Sequence, residues 1–106
     1  MPADNLFAHL PAKLRAELIE VIAQSAHVKI ERIVSTGQTT PPGEWYDQDT
    51  NEWVIVLRGR ARLRFEDERE LRALAAGDHV TIAAHRRHRV EWTDPSEPTV
   101  WLTVHY

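Results

Sequence analysis

The chain has 106 residues, no cysteine and a formal net charge of -3. That length suits one domain with a single core, and the lack of cysteine excludes disulfides and thiolate zinc sites. The slight acid excess argues against nucleic-acid binding by electrostatics, and any metal must be held by His, Asp, Glu, Gln or Tyr.

No apolar run approaches the roughly 18–20 residues of a membrane span. Met1 to Asn5 also lacks the basic and apolar regions of a signal peptide. A cytoplasmic protein with neither nucleic-acid nor membrane partners is the expectation.

Residues 10–26 predict one amphipathic helix. Pro11 suits a first helical turn, and Leu14, Leu18, Val21 and Ile22 recur at spacings of three and four. After His27 the period changes to two, and His27 to Arg32 alternates apolar and polar like a half-buried strand. TGQTTPPGE, residues 36–44, is a loop. Trp53 to Leu57 is a β-branched strand ended by Gly59. Arg60 to Phe65 then alternates cleanly, with Ala61, Leu63 and Phe65 expected inside and Arg60, Arg62 and Arg64 outside.

Charged residues 66–70 form a turn, and Leu71 to Leu74 returns toward the sheet. Gly77-Asp78 is a further turn, followed by strand His79 to Ile82. The segment Ala83 to Arg89 is rich in His and Arg and leads into Val90-Glu91-Trp92. After a proline-bearing loop, Val100 to Tyr106 closes the chain as a strand. One helix and seven or eight short strands predict a β-sandwich or small barrel.

Strand parity picks out the candidate chemistry. Glu52, Val54 and Val56 share one face, and Trp53, Ile55 and Leu57 share the other. Both faces are apolar, so the strand is expected to be buried on both sides, with Glu52 at the open end of an apolar interior. A buried carboxylate must be paired, protonated or bound to a cation; an ion pair with an arginine and a ligand role are both open. His88, Val90 and Trp92 share a face by the same alternation, so His88 also begins an inward strand. Two titratable groups at the mouths of two such strands point to a shared site. On the last strand, Trp101, Thr103 and His105 share a face; if it is the inner one, His105 lines the pocket or serves as a general base. The arginines of residues 60–64 and 86–89 are read as a solvated surface meeting nearby acids.

Glu52 is followed by the six residues WVIVLR and then Gly59, and Gly77 by DHVTI, with His88 farther on. In these spacings residues 28–106 resemble the cupins, small β-barrels that often carry a metal. Their first motif runs Gly, five residues, His-x-His, three or four residues, Glu, six residues, Gly; the second runs Gly, five residues, Pro-x-Gly, two residues, His, three residues, Asn. Here Tyr46 and Gln48 stand at the two histidine positions of the first motif and Thr40 at its opening glycine. In the second, Ala83, His85 and Trp92 replace the proline, the glycine and the asparagine.

The resemblance implies an all-β cupin barrel (double-stranded β-helix) over residues 28–106, with residues 1–27 as a helical extension, and a homodimer. It further implies a divalent metal site at Gln48, Glu52 and His88, with Asp47 or Asp49 as substitutes for Gln48 if the loop shifts. Tyr46 is a phenolate ligand, a proton donor or acceptor, or a pocket wall, and His105 is a second proton-transfer candidate. One nitrogen among oxygen donors suits Mn²⁺, Fe²⁺, Ni²⁺ or Zn²⁺. One carboxylate against a divalent ion leaves a net charge near +1, which favours a small anionic or chelating molecule. Two functions follow: a metal-dependent oxygenase or isomerase, or a non-catalytic module that binds a small ligand without a tightly held metal.

Overall fold

The computed structural model describes residues 3–106. Eight strands form two antiparallel sheets. They are β1 (Leu18–Gln24), β2 (Lys29–Ser35), β3 (Glu52–Arg58), β4 (Arg60–Phe65), β5 (Arg72–Ala75), β6 (His79–Ile82), β7 (His88–Thr93) and β8 (Thr99–His105). One sheet has the order β1-β2-β8-β3-β6 and the other β5-β4-β7. Gly59, at φ 89°, carries the chain from β3 in the first sheet to β4 in the second in a single residue.

The core lies between the sheets. Val54, Val56, Ala61, Leu63, Phe65, Leu74, Val80, Ile82 and Trp101 form one buried cluster, with Ile33 and Val90 packed against it. Burial of each large side chain contributes about 1.5–3 kcal/mol. Inward Ala61, Leu63 and Phe65 are as expected from the clean alternation of β4, and Arg60 and Arg62 are exposed.

The expected helix over residues 10–26 is absent; there is no helix among the described residues, and residues 18–24 are the edge strand β1. The helical spacing of Leu14, Leu18, Val21 and Ile22 is a weak signal that tertiary pairing overrides. Ile19, Val21 and Ile22 are β-branched and stiff at χ1, which suits a strand. Cross-strand pairing then sets Glu20 opposite Arg32, where the two form an ion pair. Arg32, on the outer face, also donates to the carbonyls of Leu6 and Ala8 at 3.0 and 2.8 Å, so the N-terminal segment lies irregularly across that face. Residues 18–24 therefore belong to the same sheet as β2.

The register of the larger sheet lines up three rows across its inner face. Ile33, Trp101 and Val56 form one, Glu31, Thr103, Val54 and Val80 the next, and Lys29, His105, Glu52 and Ile82 the row at the open end. In β7 the register shifts opposite Arg62 and Leu63. This bulge turns Trp92 outward, where Arg62 stacks on its ring at 4.9 Å. The expectation that Trp92 shares the inner face with His88 and Val90 is thus corrected: an extra residue in one strand reverses the parity beyond it.

Candidate functional site

The open-end row places Glu52 inside the barrel, and it is only 8% exposed. Across the barrel, β7 starts at His88, which is 4% exposed. The two meet, with His88 Nε2 3.4 Å from Glu52 Oε1. His105, the cross-strand partner of Glu52 on β8, brings its Nε2 to 3.8 Å from Glu52 Oε2 and 3.0 Å from Glu31 Oε1. Two imidazoles and two carboxylates thus form one chain, His88–Glu52–His105–Glu31, along the wall of a cavity of about 100 Å³. Beyond them the cavity is mostly apolar, lined by Ile33, Val54, Leu63, Ile82, Val90 and Trp101, with the Thr103 hydroxyl among them.

The orientation of His88 is fixed locally. Its Nδ1 lies 2.8 Å from the Arg86 carbonyl, which can only accept, so Nδ1 carries the proton and donates. The Phe65 ring backs the imidazole at 5.9 Å. Arg86 in turn stacks over Phe65 at 3.9 Å and pairs with Asp67 and Glu68. The Arg86 hydrogen bond holds the Asp67 carboxyl below its ordinary range, and the Arg72 hydrogen bond does the same for Glu68. The turn before His88 is therefore pinned by charge on its solvent side. These arginines meet nearby acids, as the sequence suggests.

The loop before β3 supplies the cavity's mouth. Tyr46 is stitched to the start of β7, its N–H donating to His88 O at 2.7 Å and its carbonyl accepting from His88 N at 3.2 Å. Its ring lies 5.6 Å from the imidazole. Gln48 lines the cavity as well. Asp47 and Asp49 turn the other way, to His85, at 2.8 and 3.7 Å. Alternation along this extended loop therefore sends Tyr46 and Gln48 inward, and neither Asp47 nor Asp49 lines the cavity. His85 stands at φ 64°, a left-handed conformation that few side chains adopt. Its N–H donates to Gln48 O at 2.8 Å, and its side chain holds Asp47, so it ties the loop down.

Two residues at the site are not found by the sequence reading. Glu31 is one: Lys29, Glu31 and Ile33 point inward, while Ile30 pairs with Val104 on the outer face. Equating the apolar face of β2 with the core hides it. The signal that finds it is the register with β8, which sets Glu31 beside Thr103 and diagonal to His105. The other is Glu17, whose carboxylate accepts from the Tyr46 hydroxyl at 3.4 Å.

Burial pushes the Glu17 carboxyl above its ordinary value of 4.5, partly offset by the Tyr46 hydrogen bond. The Tyr46 hydroxyl is pushed up too, by burial first and then by the charge of Glu17. A carboxyl that holds its proton more tightly when folded stabilises the fold below its unfolded value and loses that contribution as pH rises through the folded one. Unfolding free energy is thus expected to fall as pH increases above 4.5, and Glu17→Gln is expected to flatten that slope. Urea titrations of both proteins at pH 4.5 and 7 check it; equal slopes would remove Glu17 as the cause.

Among the described residues no group of three or more His, Cys, Asp or Glu side chains is arranged as a converging ligand set; the four residues instead stand as two imidazole–carboxylate pairs. The donor types nevertheless suit a first-row ion. Two ligands bound to one such ion at about 2.0–2.2 Å stand roughly 3–3.5 Å apart, close to the His88–Glu52 separation of 3.4 Å.

Residues 32–105 match the cupin-domain family. The crystal structure of a candidate mannose-6-phosphate isomerase from Ralstonia eutropha superposes with a TM-score of 0.95 at 45% identity, covering 99% of this chain and 97% of that one. At lower identity the fold recurs in a cupin superfamily protein from Desulfitobacterium hafniense, with a TM-score of 0.73, 20% identity and coverage of 91% and 82%. It also recurs in an RmlC-like cupin family protein with a double-stranded β-helix from Methanocaldococcus jannaschii, with 0.71, 19%, and 87% and 81%. No curated protein matches the chain. With the family match running from within β2 to the end of β8 and a near-full-length relative at 45% identity, this chain belongs to the cupin family and its fold is the double-stranded β-helix.

Proposed function

We propose that this cupin holds a divalent cation at Glu52, His88 and Gln48 and uses it on a small molecule bound in the cavity. One observation carries the reading. His88 Nδ1 donates to Arg86 O, so Nε2 is the ring nitrogen turned toward the carboxylate oxygen of Glu52, at 3.4 Å. That contact is repulsive unless a proton or a metal ion sits between the two. Nitrogen beside oxygen donors fits Mn²⁺, Fe²⁺, Ni²⁺ or Zn²⁺, and Gln48 adds a neutral oxygen from the mouth.

When bound, the ion supplies a Lewis acid for a substrate oxygen. The chain's own residues handle protons. His105 Nε2, against Glu31 at 3.0 Å, exchanges a proton with a carboxylate inside the barrel, and Tyr46, beside Glu17, donates one at the mouth. Two proton carriers on one cavity support an isomerase-type reaction over an oxygenase. The description of a 45% identical protein as a candidate mannose-6-phosphate isomerase also supports the isomerase form.

Calorimetric titration of Mn²⁺ into chelator-treated protein tests the cation. One ion per chain is expected, with weaker binding in Gln48→Ala and none in Glu52→Ala; equal binding by Glu52→Ala would sink the site. A metal-free binding module is the second reading, favoured by the two ready-made imidazole–carboxylate pairs, and it predicts no binding at all. A homodimer completes the proposal. Its support is the apolar surface of Ile19, Val21 and Ile22, each half exposed on edge strand β1, and sedimentation at micromolar concentration reads it directly.

A further inference from the structure

Glu31 changes the charge of the site. With one carboxylate, a divalent ion leaves a positive centre that attracts anions. The register of β2 adds a second carboxylate, with Glu31 Oε1 3.0 Å from His105 Nε2 and one residue pair removed from Glu52. Two carboxylates and one divalent ion cancel. No arginine or lysine lines the cavity among the described residues, and Glu17 adds a third acid at the mouth. The wider groove outside, which shares Glu31, Gln48 and His105 with the cavity, sets Asp47 and Asp49 against the single Lys29. Lys29 itself lies 3.9 Å from Glu31. An anionic ligand finds no uncompensated positive charge along this path.

Size and polarity narrow the ligand further. An apolar cavity of about 150 Å³ holds a benzene ring. The cavity here, at about 100 Å³, takes a group of roughly four to six non-hydrogen atoms. Its inner wall of Ile33, Val54, Leu63, Ile82, Val90 and Trp101 offers few polar partners to a sugar's several hydroxyls: the Trp101 indole N–H already donates to Ser35, which leaves the single hydroxyl of Thr103, 3.5 Å from His105 Nε2.

We propose that the cavity takes a small uncharged oxygen compound with a short apolar end, of the hydroxyketone or hydroxyaldehyde class, and that Glu31 makes it reject carboxylates and phosphates. The oxygen contacts rest on the divalent cation proposed above. The rejection of anions does not, because without the ion the site is more negative still.

The test compares acetoin, lactate and mannose 6-phosphate by calorimetry, on manganese-loaded and on chelator-treated protein, with metal content measured in the same samples. Acetoin and lactate differ by a methyl group against a charged oxygen. Acetoin is expected to bind manganese-loaded protein at least ten-fold tighter than lactate, and mannose 6-phosphate to show no saturable binding. In Glu31→Gln, lactate is expected to tighten roughly ten-fold from the loss of one nearby charge. The inference is overturned if lactate or mannose 6-phosphate binds the unaltered protein as tightly as acetoin, if acetoin does not bind, or if Glu31→Gln leaves lactate unmoved. The first two outcomes do not depend on the variant folding. Protein that takes up no metal but keeps the ranking loses only the cation; metal-loaded protein with the ranking reversed loses only this inference.

Discussion

Gly59→Ala is expected to lower the unfolding free energy by about 3 kcal/mol, from two separate causes. At φ 89° any β-carbon is strained, at about 1–2 kcal/mol. That carbon would also stand 2.5 Å from Thr99 Oγ1, 2.6 Å from Thr99 Cα and 2.9 Å from Pro98 O. Two of the three are backbone atoms that cannot swing away, and overpacking of this kind costs about 1–3 kcal/mol. Thr99 is fully buried and its hydroxyl bonds both the N–H and the carbonyl of Arg60, so relief by movement would break the sheet-to-sheet crossing itself. Gly77→Ala is the control: its φ of 93° is similar, but nothing lies within 4 Å of the added carbon, so only the backbone strain applies. Urea denaturation of the two variants checks the difference, and equal losses would show that the Thr99 contact is not limiting.

Phe65→Ala is expected to cost about 3–5 kcal/mol, a large share of the roughly 5–15 kcal/mol of a typical domain. Phe65 is fully buried at the end of β4 and belongs to the core cluster. It also joins the core to the site. Arg72 and Arg86 stack on its ring at 4.7 and 3.9 Å, and His88 lies 5.9 Å away. Truncation therefore leaves a cavity beside His88 and frees the arginine whose carbonyl orients that imidazole. Phe65→Leu keeps most of the volume and is expected to lose less than half as much. The midpoint of urea unfolding measures both, and a cost for alanine below about 1 kcal/mol would mean that the site collapses around the gap.

How far the sequence disclosed this molecule depended on which physical rule governed each segment. The alternation of Arg60 to Phe65 is read correctly because one face of β4 is core and the other solvent. Glu52 and His88 are legible because turn glycines at fixed distances set the register of the strands that carry them. Even His85 follows from that frame: the turn demands a left-handed residue at the position a cupin fills with glycine, and the chain meets the demand with a histidine anchored to Asp47. Where partners far along the chain decide the outcome, local pattern fails. Residues 18–24 have helical spacing, yet pairing with β2 and the Glu20–Arg32 contact make them a strand. Glu31 stays hidden for the opposite reason, because its strand turns polar side chains toward the cavity and Ile30 away from it. Trp92 is misplaced by a single bulge, which no periodicity foretells.

Elemental analysis of the protein purified without a nickel column bears most directly on the proposed cation site. Near-stoichiometric Mn, Fe, Ni or Zn in the unaltered chain, and its loss in the folded Glu52→Ala, His88→Ala double variant, is the predicted result. Metal-free protein that folds normally, or a double variant that keeps its metal, would contradict it.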